Sequence, residues 1–362
     1  MQARRLISCA VVCWLLSQAA VNAAEWGLKE GIPDLKSAGP LAFGPDGILF
    51  VGDTKGATIF AIGTGDTKGN PSQVEINVSG LDAKVAELLG VNADKITIND
   101  LAVNPLTGNV FLSVSKAGSA AVVKIAADSK LSQVSLQKVA FQKVELPNAP
   151  EDKEVTRNGR TQNNRGEAIT DLAYAEGKVY VSGLTGGASP SNVREIPFPF
   201  SDASAGTSVE IYHGAHGRSE DYAAIRTFVP INIDGEASLL AGFTCTPLVK
   251  FPVSSLKPGE KTRGTTVAEL GNRNRPLDMI VYQKEGATFL LMSNSARGVM
   301  KISTDGITKN PGITAPVKDG GVAGQTYETI KELEGVVQLD KLNNTHAVIL
   351  TSSQDLRTIP LP

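Results

Sequence analysis

The chain has 362 residues, 41% of them hydrophobic, with 35 Lys plus Arg against 37 Asp plus Glu. A formal charge of −2 supplies no basic face for a phosphate backbone, so no nucleic-acid partner is expected. The apolar run at residues 6–16 is too short for a normal membrane span and no later stretch approaches one, so no membrane insertion is expected.

The first 24 residues read as an export leader. Arg4 and Arg5 precede the apolar run, and Val21-Asn22-Ala23-Ala24 offers small residues for cleavage near Glu25. The product is then soluble and secreted or periplasmic, with 25–362 as a single domain. Cys9 and Cys13 fall inside the leader and no cysteine stands at the cleavage point, which argues against lipid anchoring. Cys245 is left without an internal disulfide partner. In Phe243-Thr-Cys-Thr246 it reads first as a small buried strand residue, and second as a ligand or reactive thiol.

A phrase recurs along the rest of the chain. Leu41-Ala-Phe-Gly-Pro-Asp-Gly-Ile-Leu-Phe-Val-Gly-Asp53 returns as Leu101-Ala-Val-Asn-Pro-Leu-Thr-Gly-Asn-Val-Phe-Leu-Ser113 and as Leu172-Ala-Tyr-Ala-Glu-Gly-Lys-Val-Tyr-Val-Ser182. Each copy is an apolar run, a Gly-containing turn and a second run rich in β-branched and aromatic residues, which is a β-hairpin signal. Hairpins repeated at long intervals predict an all-β, six-bladed β-propeller. The first blade spans 39–80, with its last run at 74–78. Leu81-Asp-Ala-Lys-Val-Ala-Glu-Leu-Leu-Gly90 has helical spacing and a Gly stop. The second blade runs over 98–146 and the third over 168–212. The fourth begins near Phe228, the fifth at Pro276 and the sixth at Gly335. The sixth shows only three runs. Its missing outer strand is expected from the N-terminal segment 25–35, closing the ring. Long insertions at 147–167, 201–208 and 311–331 interrupt the pattern.

Innermost propeller strands begin around one opening. Asp100, Asp171 and Asp278 open three of them in the same phase, with Glu334 at a comparable point in the sixth blade; Asn99 and Glu167 stand close by. Gathered carboxylates repel, and a hard cation such as Ca²⁺ would relieve that; alternatively each Asp caps its own strand through backbone N–H groups. A second cluster is His213-Gly-Ala-His216-Gly-Arg218-Ser-Glu220. His213, His216 and Glu220 together suit Zn²⁺, Cu²⁺ or Fe²⁺, Arg218 suits a carboxylate or phosphate, and the bland reading is a glycine-rich surface turn. Third, Arg273 and Arg275, with Arg165, either neutralise the acidic mouth or receive an anionic ligand. No nucleophile elbow, phosphate-binding Gly-Lys loop or paired cysteine is present in the sequence.

The phrase Gly44-Pro-Asp-Gly-Ile-Leu-Phe-Val-Gly-Asp53 resembles blades of the six-bladed propeller superfamily that includes gluconolactonase-like hydrolases, NHL-repeat proteins and virginiamycin lyase-like proteins. The resemblance implies a six-bladed ring with any ligand at the central opening. Gluconolactonase-like enzymes carry a metal-binding Glu before the first Gly-Pro, where this chain has Ala38-Gly39-Pro40, so no catalytic residue is carried over. The expected function is binding of a small ligand, metal ion or protein partner at the central opening. The alternative is a metal-dependent hydrolase or oxidoreductase using the central carboxylates or the His213/His216 cluster.

Overall fold

The computed structural model describes residues 25–362 apart from 158–159, 246 and 319–320; the expected leader lies outside them. The tight hairpins follow from local chemistry. Ala117-Gly118, Glu176-Gly177, Asp234-Gly235 and Glu285-Gly286 each place two successive residues at positive φ. That turn has the twist that flanking strands require, and glycine takes its second position without a Cβ clash. The segment 81–90 forms the α-helix Leu81–Leu89, ended by Gly90 in the left-handed conformation.

The chain is a six-bladed β-propeller. Six small antiparallel sheets stand around an axis, with innermost strands Leu41–Phe43, Ile96–Val103, Asp171–Ala175, Ile225–Ile233, Pro276–Lys284 and Val336–Lys341. A hydrophobic core lies between each neighbouring pair of blades. Each sheet is therefore covered on both faces, and the second strands read as continuous apolar runs. Ile48–Asp53 is buried at every position, the pattern of a strand with no solvent face. Each fully buried Leu, Ile, Val or Phe contributes about 1.5–3 kcal/mol.

The order of blades around the ring differs from their order in the chain. Numbered by sequence, their innermost strands neighbour one another in the circuit 1–3–4–5–6–2 and back to 1. The second blade is inserted within the first. After the strand Thr58–Gly63 the chain crosses to the sixth blade, where Asn77–Val78 pairs with Leu356–Pro360 as its outer strand. It then builds the second blade and returns, so that Val139–Glu145 pairs with Thr58–Gly63 of the first. The N-terminal strand Lys29–Gly31 adds to the outer edge of that returning strand.

Two expectations are corrected here. The sixth blade is closed by Asn77–Val78, assigned from sequence to the first blade, and not by the N-terminal segment. The run at 139–145 completes the first blade, not the second. Strand pairing across a two-residue turn is set locally. A strand reached through a long connection is placed by whichever sheet edge it completes.

The internal closure has a measurable consequence. Val78 is buried in the core between the second and sixth blades, so Val78→Asp places an unpaired charge at the closing strand. It should cost more than about 3 kcal/mol in denaturant unfolding. Deleting residues 25–31 removes the outer edge strand of the first blade together with Trp26, stacked on Phe198, and buried Leu28 from the core between the first and third blades. It should lower stability yet leave one cooperative transition, because the closing strand Asn77–Val78 stays in place.

Candidate functional site

The central channel encloses a cavity of about 340 Å³ lined by Asp100, Asp171, Asp278 and Asp340 among apolar side chains. Asp100 and Asp278 each follow a β-bulge, and Asp100, Asp171 and Asp278 sit opposite Ser113, Ser182 and Ser293 on the second strands. Bulges re-aim the side chains that follow them. Each carboxylate then joins two blades. Asp100 accepts from its neighbour Leu101 N–H at 2.9 Å and from Leu41 N–H of the first blade at 2.7 Å. Asp171 accepts from Leu172 at 2.8 Å and Phe228 at 2.7 Å. Asp278 accepts from Met279 and Leu339, both at 2.8 Å. Asp340 accepts from Lys341 at 2.6 Å and Val103 at 2.7 Å.

The fourth acid is thus Asp340; Glu334, the sequence expectation, is exposed. Capping and gathering are both realised: the acids bind backbone N–H groups, as a capping role requires, but half of those groups belong to the next blade. Burial, above all, and repulsion among the ring members push Asp100 and Asp278 well above the ordinary carboxylate range. Burial pushes Asp171 up to about 7 and Asp340 up to about 6. Each of the eight oxygens is engaged by one backbone donor, so the acids form a latch between blades.

The His cluster lies at the same end of the ring, away from the axis. Ile225, at the start of an innermost strand, pairs with Phe243, which puts the following turn and Cys245 on the aspartate side. Thr207–His213, the outer strand of the third blade, runs toward that same end. Arg226 Nε donates to Thr244 Oγ1 at 3.2 Å, tying the mouth to this turn.

His213 and His216 stack with ring centroids 3.8 Å apart. Each directs Nδ1 to a separate oxygen of buried Glu220, at 2.9 and 2.7 Å. A carboxylate accepts, so both rings carry a proton on Nδ1, and in the neutral imidazole Nε2 is then the nitrogen with the lone pair. His213 Nε2 is buried and has no hydrogen-bond partner. Nε2 is the nitrogen left over on each ring, and one ligand atom from each of His213, His216 and Cys245 lies within 4.8 Å of the others. Burial opposes ionisation of Glu220, yet hydrogen bonds from His213, His216, Tyr222 and Arg218 hold its carboxyl well below the ordinary range. Glu220, named from the sequence with the two histidines as a metal ligand, accepts from both rings and fixes their orientation. Arg218 is spent on Glu220 and on Tyr222, at 3.0 and 2.9 Å.

Glu269, wholly buried, braces the turn from the fourth blade. Its Oε1 accepts from Gly214 N–H at 2.5 Å and Ala215 N–H at 3.4 Å, and its Oε2 has no partner. A Cβ at position 214 would stand 2.9 Å from Val317 and 3.0 Å from Glu269, so the close approach needs glycine. Burial holds Glu269 above the ordinary carboxylate range, moderated by the two histidines and the two N–H groups.

Of the expected anion-binding arginines, only Arg275 lines the mouth cavity, together with Arg226, which sequence reasoning passed over. Arg165 donates to the carbonyl of Pro150 at 2.6 Å and reaches that of Lys55 at 3.5 Å. Arg273 is exposed. Ala38, standing where gluconolactonase-like enzymes carry Glu, is buried at this mouth, and its carbonyl accepts from Asn99 Nδ2 at 2.7 Å. Sequence reasoning weighed Cys245 as a ligand or reactive thiol without joining it to the histidines, and left Glu269 and Asp340 outside the site. For the two acids a signal existed, in that each interrupts an apolar run.

No family model matches the chain, and no curated protein does. Among solved structures it is similar to virginiamycin B lyase from Staphylococcus aureus at 8% identity, over 92% of this chain and 99% of that one, with a TM-score of 0.36. Similarity to the PQQ-bound aldose sugar dehydrogenase of Streptomyces coelicolor is 12% identity over 92% and 98%, TM-score 0.35. For Drosophila semaphorin 2a the figures are 8%, 92% and 75%, TM-score 0.39. Likeness at this level concerns the fold alone. Among the described residues no helix is long and apolar enough to cross a membrane.

Asp100→Ala should cost about 1–3 kcal/mol for each of the two N–H groups it orphans, read by denaturant unfolding. Raised carboxyl pKa values make the native state hold protons more tightly than the unfolded chain. The stability they contribute is complete below the ordinary range and is lost as pH climbs through about 6 for Asp340 and about 7 for Asp171. Glu220, being depressed, acts in the opposite sense and in a more acidic window. The melting-temperature advantage of the wild type over Asp171→Asn should therefore shrink between pH 5 and pH 8 (about the two sides of that transition). A constant advantage would count against the raised value.

Proposed function

We propose that this chain is an exported propeller whose function is carried by a metal centre of His213, His216 and Cys245. The single observation behind this reading is the paired orientation of two imidazoles by one buried carboxylate, with one ligand atom from each ring and the Cys245 thiol within 4.8 Å of one another. A carboxylate behind the histidine is the usual second layer of a metal site. Two imidazoles and a thiolate suit Zn²⁺ or copper, and a hard cation such as Ca²⁺ less well. Export rests on the leader pattern in residues 1–24. The centre lies at the rim of the ligand-binding face, off the central axis where the sequence pattern pointed.

The alternative, a metal-dependent hydrolase or oxidoreductase, draws on the ligand count. Closed structural zinc sites use four protein ligands, whereas three leave a position for water or substrate. The unpartnered Oε2 of Glu269 is a proton acceptor of the type such a water requires.

Metal analysis of the purified protein is the direct test. We expect one zinc or copper per chain, lost in Cys245→Ser, and a lowered melting temperature on chelation. Glu220→Gln should weaken metal affinity by about 10–100-fold while the metal-loaded fold persists. A protein that takes up neither metal and melts identically with and without chelator would overturn the reading.

A further inference from the structure

The opening above the aspartate ring holds a second group of charged side chains, apart from the His213/His216 cluster. A cavity of about 500 Å³ there is lined by Lys55, Arg226 and Arg275 against a single acid, Glu167. Glu167 is committed to Arg226 at 2.6 Å. Arg226 is further held by Thr244. The guanidinium of Arg275 and the ammonium of Lys55 make no hydrogen bond or ion pair to any described side chain. Arg275 also feels the like charge of Arg226, and this, after burial, lowers its pKa.

The wall around these cations is built in advance. Buried Asp53 accepts from Lys36 N–H, Ser37 N–H and Ser37 Oγ–H at 2.7–2.8 Å and from Gly56 N–H at 2.9 Å, which fixes both loops of the first blade that face the opening. Thr54 Oγ1 donates to the carbonyl of Ile169 at 3.2 Å and joins the first blade to the third. Ala38, Pro40 and Ile169 add an apolar side to the same cavity.

We propose that this mouth binds a small organic carboxylate, its charged end on the Arg275 guanidinium and its carbon body against Pro40 and Ile169. The fork of an arginine matches the two oxygens of a carboxylate. The anion relieves the repulsion between Arg275 and Arg226 that the lone Glu167 leaves uncancelled. The apolar side distinguishes an organic acid from inorganic phosphate, and the positive excess distinguishes it from a neutral sugar.

Calorimetric titration of the metal-free full chain with succinate, inorganic phosphate and glucose tests this. Saturable succinate binding is expected, weakened roughly tenfold or more in Arg275→Gln, the loss of one charge-assisted contact. Arg275→Lys, which keeps the charge and loses the fork, should fall between. Arg275 supports no other described side chain, so an unchanged melting temperature in both variants separates binding from folding. Three outcomes overturn the proposal: no succinate binding, equal affinity in Arg275→Gln, or phosphate or glucose binding more tightly than succinate. None bears on the metal centre, because the titrated protein carries no metal.

Discussion

Four of the six blade junctions are tied by carboxylates shared between blades, on top of the hydrophobic core that fills every junction. Each of four aspartates accepts one N–H from its own strand and one from the innermost strand of the next blade. Backbone groups at the start of an innermost strand have no sheet partner on the channel side, and leaving them unpaired in a narrow channel is costly. The aspartates satisfy them and set the blade spacing together. The raised proton affinity of the ring is the cost of placing four such groups around one small cavity. With this ring serving as mechanical linkage, the two proposed sites lie outside it, in the mouth and at the rim.

The nested path of the chain explains how the ends of the ring meet. A propeller whose last blade lacks a strand has an open edge. Here an internal segment, Asn77–Val78, fills that edge, while the strand it leaves vacant in the first blade is supplied by Val139–Glu145. The first, second and sixth blades are thereby interlocked by two strand exchanges. The helix Leu81–Leu89 seals the crossing, burying Leu81, Val85 and Leu89 in the core shared by the second and sixth blades.

The candidate metal centre is assembled from three places: the outer strand and turn of the third blade, a hairpin turn of the fourth, and Glu269 in the fourth blade's outer region. Buried Glu220 holds both histidines, and buried Glu269 holds the turn between them through Gly214 and Ala215 N–H. Arg226 connects it to the mouth through Thr244, so the proposed metal centre and anion site occupy one face of the molecule.

Residue pattern alone determined the hairpins, the six-fold repeat, the helix at 81–89 and the phase of Asp100, Asp171 and Asp278, because two-residue turns and apolar periodicity act over a few neighbours. It also marked His213, His216 and Glu220 as one cluster, since they lie within eight residues. Tertiary structure decided the rest. It chose which edge Asn77–Val78 completes, brought Cys245 and Glu269 to the histidines, and placed Asp340 rather than Glu334 in the ring. Those choices depend on contacts between residues tens of positions apart, whose encounter is set by the packing of whole sheets; an acid interrupting an apolar run marks Glu269 and Asp340 as unusual, but nothing local says what each will meet.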